Sequence, residues 1–322
     1  MSAGGSTKAI VAALLANLGI AVAKFFGFLF TASSSMLAES VHSVADTGNQ
    51  VLLLVGGRRA QLVPTSQHPF GFGRERYFWA FVVSIVLFTL GSAFAVYEGV
   101  EKLLHPHELE SAGWAVAILL VAIVLEGLSF RTAVHEARPL KGSGSWVRFI
   151  RRTKQPELPV VLLEDSGALV GLVIALTAIS LTIVTGDPVW DGVGTTCIGV
   201  LLGVIAIVLA VEMKSLLIGE AASSEDEAAI EAAVVASPTV RHLIDLRTEH
   251  IGPDAILVAA KVEFRSELTV REVADAVDAI EREVRAAVPA ATRIFVEPDV
   301  VRPARAEVPE STDAVRPGDP AR

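Results

Sequence analysis

Apolar positions gather into six long runs, roughly 8–30, 34–56, 77–99, 112–133, 158–184 and 190–213. Each is long enough to cross a hydrocarbon core, which takes about 20 residues of helix. A segment facing lipid must satisfy its backbone groups internally, so all six are expected to be helical. After about residue 220 the pattern changes to amphipathic stretches of mixed charge. The chain therefore predicts a six-helix membrane bundle over 8–214, then a water-facing domain over 220–301.

That second domain reads as αββαβ, a ferredoxin-like arrangement with its helices on one face of a small sheet. "SEDE" at 224–227 offers a capping box, Ser224 with Glu227, opening a helix that should end near Pro238. "LIDLRTEH" reads as a strand, and "HIGPD" supplies the turn to the next. Ile256, Val258, Ala260, Val262 and Phe264 then alternate with less buried positions, the period of a half-buried strand. Thr269 and Glu272 form a second capping box, followed by Val270, Val273, Val277, Ile280 and Val284 at helical spacing, and "RIFVE" gives a last strand. The remainder, 302–322, is rich in Pro and charge without an apolar period and reads as a disordered tail.

Composition supports the membrane class: 52% of the residues are apolar and 20% charged. The net charge of −9 hides an uneven distribution. Arg58, Arg59, Arg74 and Arg76 fall between runs two and three, and Arg131, Arg138, Lys141, Arg148, Arg151, Arg152 and Lys154 between runs four and five. By the positive-inside rule both termini are cytoplasmic, and a plasma (inner) membrane location is expected. The first run is too long for a cleaved leader and lacks a clear cleavage site, so it is expected to remain. The single cysteine, Cys197, reads as a packed apolar thiol. No phosphate-cradling GxxxxGK[ST] loop is present, so energy should come from a gradient rather than hydrolysis, and no enzyme activity is expected. The bilayer is the expected surroundings; nucleic acid is not among the expected partners.

The polar residues inside the runs change the picture most. In "LAESVHSVADTGNQ", His42 and Asp46 stand four apart on one helix face, with Glu39 a turn earlier and Asn49 and Gln50 a turn later. Ionisable groups at bilayer depth are costly and usually face a pathway or a partner. An imidazole nitrogen and a carboxylate oxygen at that spacing can reach one divalent ion. The fifth run adds Glu164 and Asp165. Neighbours on a helix point about 100° apart, so Asp165 is the expected ligand, and Glu164 completes the set or serves as outer support, proton relay or a partner for Lys24. Glu39, Lys24 and Glu126 in the fourth run are expected proton-relay groups or charge partners.

Six runs, HxxxD in the second, an acidic residue in the fifth and an αββαβ tail together resemble the cation diffusion facilitator family of divalent-metal/proton antiporters, over about residues 8–300. "SSSMLAESVHSVADTGNQ", "HPFGFGRERY" at 68–77, "DPVWD" at 187–191 and "LRTEHIGPDAILVAAKVEF" carry the resemblance in order and spacing. It implies a four-ligand site with two ligands from each of spans two and five: His42 and Asp46, then Asp165. The departure is Val161, which stands where most zinc-carrying members have a second histidine. Phe72 likewise replaces a histidine common in the loop, and the 4–5 loop lacks a His-rich tract. These details are similar to the branch of the animal mitochondrial zinc transporter, whose fifth span also reads LLED. The resemblance implies Zn²⁺ exported in exchange for H⁺, no prosthetic group, and a homodimer held by the C-terminal domain.

Chemistry leaves alternatives open. One nitrogen with two or three oxygens suits Zn²⁺, yet oxygen donors also move the site toward Mn²⁺, Fe²⁺ or Co²⁺. A proton-coupled organic-cation carrier would also want buried carboxylates, but no aromatic residue lies in the stripe and aromatics are 6% of the chain. Metal binding needs a neutral imidazole and ionised carboxylates, so protons and metal compete for the same lone pairs. An ordinary imidazole titrates near about 6.5, within physiological range. His242 and His250 read as surface histidines, Glu297 and Asp299 as a solvated acidic end, His105 and His107 as too solitary for a site, and His68 as a loop organiser.

Overall fold

A computed structural model describes residues 4–31, 34–106 and 112–302, and their side chains except at 4–6, 27, 28, 30, 31, 34–42, 45 and 112. His107 and the expected tail beyond Arg302 lie outside the described residues.

The chain divides into two compact units, Met1–Ala221 with Glu249–Ile256, and Ala222–Thr248 with Leu257–Arg322. The first is helical: α1 Gly4–Thr31, α2 Ser34–Arg59, α3 Glu75–Val86, a π-helical segment Leu87–Ala93, α4 Phe94–Leu104, α5 Ala112–Lys141, α6 Trp146–Arg152, α7 Glu157–Thr185 and α8 Val189–Ile218. Among the described residues five stretches are long and apolar enough to cross a membrane: Thr7–Phe26, Glu75–Leu104, Gly113–Lys141, Glu157–Thr185 and Val189–Ile218. Six were expected; α2 is set apart by the polar residues that its apolar run carries. α5 runs on to Lys141, so Arg131, Arg138 and Lys141 sit on a helix rather than in a loop.

α1 packs on α2 and α5, α7 lies between α5 and α8, and the α3–π–α4 stretch runs along α8. Tyr77, Leu53, Val83, Leu158, Val161, Leu209 and Met213 form the centre of the apolar core. Small residues let α8 approach the third span closely: a Cβ on Gly199 would come within 2.7 Å of the Val96 amide nitrogen. At the π-helical segment Ser92 Oγ donates to the Gly199 carbonyl at 2.8 Å, which gives the hydroxyl a partner across the two helices. Gly186 ends α7 at φ +70°, a conformation open to glycine without strain. Cys197 is exposed on α8 rather than packed inside. In a bundle whose outer face is expected to meet lipid, an apolar thiol is as well accommodated outside as within.

The second unit contains α9 Ser224–Val235, β1 Val240–Gly252, β2 Ala255–Phe264, α10 Val270–Ala287 and β3 Ala291–Pro298, with β1 and β2 contributing their tips to the first. The three strands form one small sheet in the order β1-β2-β3, and α10 packs on α9 and β3. Along β2 every second residue, from Ile256 to Phe264, is buried, as the alternation predicts. α10 carries the expected Thr269–Glu272 capping box, but its buried face is Ala276, Ile280 and Val284. Val270 is 89% exposed, because the first helical residue falls off that face. The cap of α9 is Ser223, accepting from the Asp226 amide, rather than the expected Ser224. Each of the two serines has an acidic residue three positions on, and the chain uses the first pair.

Candidate functional site

The polar stripe of α2 meets α7 through three buried side chains. Asn49 Nδ2 donates to Glu164 Oε1 at 3.1 Å, and Gln50 Nε2 donates to Glu164 Oε2 at 2.7 Å. Asn49, Gln50 and Glu164 are all buried. Asn49 Oδ1 and Gln50 Oε1 have no hydrogen-bond partner among the described residues. Asp165, next along α7, points to another helix: its Oδ2 accepts from Ser129 Oγ of α5 at 2.7 Å, and both residues are buried. The 100° step between neighbours on a helix sends the two carboxylates to different partners.

One turn before Ser129 on α5, Glu126 is buried, and its Oε2 has no hydrogen-bond partner among the described residues. Glu126 lies within electrostatic reach of Asp165, Asp46 and Lys24, and Glu164 within reach of Asp46. Asp46 itself is half-buried. Lys24 of α1 lies within electrostatic reach of Glu126, while both oxygens of Glu164 accept from the amides. The side chains of His42 and Glu39 lie outside the described residues. Among the described residues no three His, Cys, Asp or Glu side chains form a group able to hold a metal ion. Ser129 is the participant that sequence reasoning missed; its position one turn after an intramembrane glutamate was the available signal.

Two buried charges stand at the start of the third and fifth spans. Arg76 grips Glu157 through both carboxylate oxygens, the Nη2 to Oε2 bond measuring 2.7 Å. Such a fork-on-fork pair neutralises an ion that would otherwise be costly to bury. Close by in sequence, Lys154 pairs with Glu220. Burial pushes the Glu220 carboxyl up, but hydrogen bonds from Lys154 and Ser215 outweigh it and hold the group below its usual range.

The other singled-out residues have local partners. His105 pairs with Glu101 at 3.0 Å, and His68 stacks on Phe72 with ring centroids 4.6 Å apart. Lys261 sits between Glu297 and Asp299, at 3.3 and 3.4 Å. His250 is buried, not a surface histidine, with Nδ1 3.3 Å from the Gly252 carbonyl.

The family model of the cation efflux transmembrane domain matches residues 10–218, and that of the cation efflux protein cytoplasmic domain matches residues 222–299. The proton-coupled zinc antiporter SLC30A9, mitochondrial, of Mus musculus is 32% identical over 83% of this chain and 47% of its own length. Metal tolerance protein C4 of Arabidopsis thaliana is 30% identical over 83% of this chain and 59% of its own length. Cation-efflux pump FieF of Shewanella oneidensis is 26% identical over 88% and 89%. The chain spans about half the length of the first of these curated relatives. All three names denote transport or metal-handling proteins rather than enzymes. The expected plasma-membrane location is overturned by the mitochondrial designation of the SLC30A9 relatives; insertion in a membrane stands.

Proposed function

The chain belongs to the cation efflux family, in the branch that includes SLC30A9, and from that premise we propose that it is a proton-coupled antiporter of divalent metal ions with Zn²⁺ as its cargo. The observation that carries this reading is the burial of three carboxyl groups, Glu126, Glu164 and Asp165, within otherwise apolar helices. In the proposal His42 and Asp46 of α2 and Asp165 of α7 hold the ion. Metal displaces protons from these groups on one side of the membrane, and protons displace metal on the other, because both need the same lone pairs. Exchange also spares the site from returning across the bilayer as a cluster of uncompensated carboxylates. Transport is directed out of the compartment that holds the C-terminal domain.

The finer architecture belongs to the same proposal. α2 acts as a sixth span, its polar stripe shielded inside the bundle, and the sheet unit is a ferredoxin-like αββαβ module through which two chains pair. Exposed Phe295 on β3 supports a pairing surface.

Purified protein in proteoliposomes tests the reading. Zn²⁺ uptake should drive proton counterflow, and Asp46→Ala and Asp165→Ala should abolish both with normal expression. Normal transport in either variant would sink the ligand assignment. The oxygen-rich donor set left by Val161 favours a second reading, an Mn²⁺, Fe²⁺ or Co²⁺ carrier. Competition between Zn²⁺ and Mn²⁺ decides, since uptake of manganese without zinc reverses the preference.

A further inference from the structure

Resting on the antiporter reading, we propose that Glu164 is a positioning residue rather than a metal ligand: with Asn49 and Gln50 it forms a strut that sets the separation of α2 and α7 and so the size of ion they accept. Three observations carry it. Both oxygens of Glu164 are already engaged, at 3.1 and 2.7 Å, by two separate amide groups. All three residues are sealed from water, at 1% exposure for Asn49, 0% for Gln50 and 7% for Glu164. And among the described residues α2 and α7 are not a closely packed pair of helices: α2 packs chiefly on α1 and α3, α7 on α5 and α8. The long Glu164 side chain therefore reaches across a gap that backbone packing does not close.

The strut is placed to matter. Asn49 and Gln50 follow Asp46 by three and four residues, one turn along the same face of α2, and Glu164 immediately precedes Asp165 on α7. Fixing the pair one turn away fixes the distance between the two carboxylates proposed to share the ion. Asp165 is anchored separately, by Ser129 of α5. Two adjacent acids are thus divided between roles: one holds the helices in register, the other, held by Ser129, is the proposed ligand. A binding constellation tolerates displacements of only about 0.5 Å, and removing one methylene from the strut shortens it by about 1.5 Å.

The two unpartnered amide oxygens give the test its asymmetry. A glutamine at 164 offers an NH₂ group to Asn49 Oδ1 or Gln50 Oε1 after rotation of an amide, and its own oxygen still accepts from the other. Strut length survives while the charge is lost. An aspartate keeps the charge and loses the length. A metal ligand would show the reverse preference.

The full chain in proteoliposomes is assayed for uptake against Zn²⁺ and Mn²⁺ concentration. E164Q is expected to transport more slowly but with a Zn²⁺ KM within about threefold of the parent, whereas E164D raises KM by about 10–100-fold and alters the Zn²⁺ to Mn²⁺ ratio. The exchange variant Q50E/E164Q moves the carboxylate onto α2, keeps the strut, and should return KM and the metal ratio to parental values. The proposal is overturned if E164D behaves as the parent while E164Q and the exchange variant each lose about tenfold or more in KM. Should E164D fail to purify as a monodisperse species, the exchange variant decides alone: parental KM supports the strut, a tenfold rise overturns it. Parental protein that moves no divalent metal overturns the antiporter reading and the strut with it; transport by the parent but not by the exchange variant overturns only the strut.

Discussion

α10 and α7 each bury one face, and they mark it in opposite ways. On α10 charged residues hold eight of the 18 positions, and the buried residues, Ala276, Ile280 and Val284, stand at helical spacing among them. On α7 apolar residues hold 18 of 29 positions, and beyond the wholly buried first turns, Glu157–Leu162, the buried residues are Glu164, Asp165, Gly167, Gly171 and Thr182 beside only two apolar ones, Ala178 and Ile179. The difference lies in the solvent. Against water, burial is driven by apolar area, so an apolar side chain signals the interior. Against lipid, apolar area gives no preference for protein over hydrocarbon, and what moves inward is what hydrocarbon cannot satisfy or what lets helices approach. The same residue class therefore carries contrary meanings in the two units.

The sharpest way to break this contrast is to remove Arg76 from the buried Arg76–Glu157 pair, which leaves the Glu157 carboxylate uncompensated. Arg76→Ala should destabilise the solubilised protein by about 3–5 kcal/mol and Glu157→Ala by less, since Arg76 Nη1 keeps Asp254 at 3.1 Å, while Arg76→Met with Glu157→Leu should come out near neutral. Thermal unfolding of the full chain reads both. Singles that unfold at the parental temperature would mean the pair is wet, and the comparison would lose its polar arm.

The apolar arm is tested on α10. Ile280→Ala removes a side chain that is 1% exposed and should cost about 2–5 kcal/mol. Val270→Ala, at the exposed start of the same helix, should stay within about 0.5 kcal/mol. Equal losses at the two positions would show that spacing does not select the buried face.

That contrast also explains which features could be read in advance. The alternation along β2 placed its core residues correctly because water enforces the code, and the helical spacing of α10 found Ile280 and Val284 but missed Ala276 and included exposed Val270. The stripe of Asp46, Asn49 and Gln50 and the Glu164–Asp165 pair stood out for the opposite reason, as polar exceptions in apolar runs. What could not be read was who pairs with whom. Glu164 was expected as a ligand, outer support, proton relay or partner for Lys24, with no amide donors assigned to it; the structure gives it Asn49 and Gln50, and gives Asp165 the hydroxyl of Ser129. Periodicity gives rotation only when two faces differ in hydropathy, and these helices differ little around their circumference. Cys197 was placed inside for the same reason, lipid and core being alike to a thiol. The cap of α9 slipped by one residue because local chemistry offered two equivalent solutions.

Close approach of helices supplies a third, smaller effect. Gly199→Ala would force a methyl against the Val96 backbone and should cost about 1–3 kcal/mol. Gly127 on α5 meets nothing within 4 Å, so Gly127→Ala should be neutral or stabilise by about 0.5–1 kcal/mol through helix propensity. The difference in unfolding temperature between the two variants is the measurement; similar shifts would mean that tight packing on α8 is not what selects its glycines.

The smallest effect is in the sheet unit, where water makes a local electrostatic device visible. Glu272 accepts from the Thr269 backbone amide at 2.7 Å and from its hydroxyl at 2.8 Å. The backbone bond, then the hydroxyl, holds the Glu272 carboxyl below its usual range. Because the folded value lies below the unfolded one, the stabilisation is present above the unfolded value and is lost as pH falls through the folded value. Hydrogen exchange at the first turn of α10, expressed as protection, should therefore weaken on acidification through the lower carboxylate range. Glu272→Gln should show less of that pH dependence, since the amide accepts the same bonds without titrating. Thr269→Ala removes the cap at every pH and should cost about 1 kcal/mol. A parental protection profile that stays level on acidification would show that the bond is idle, and α10 would then rest on its apolar face alone, the feature that separates it from α7.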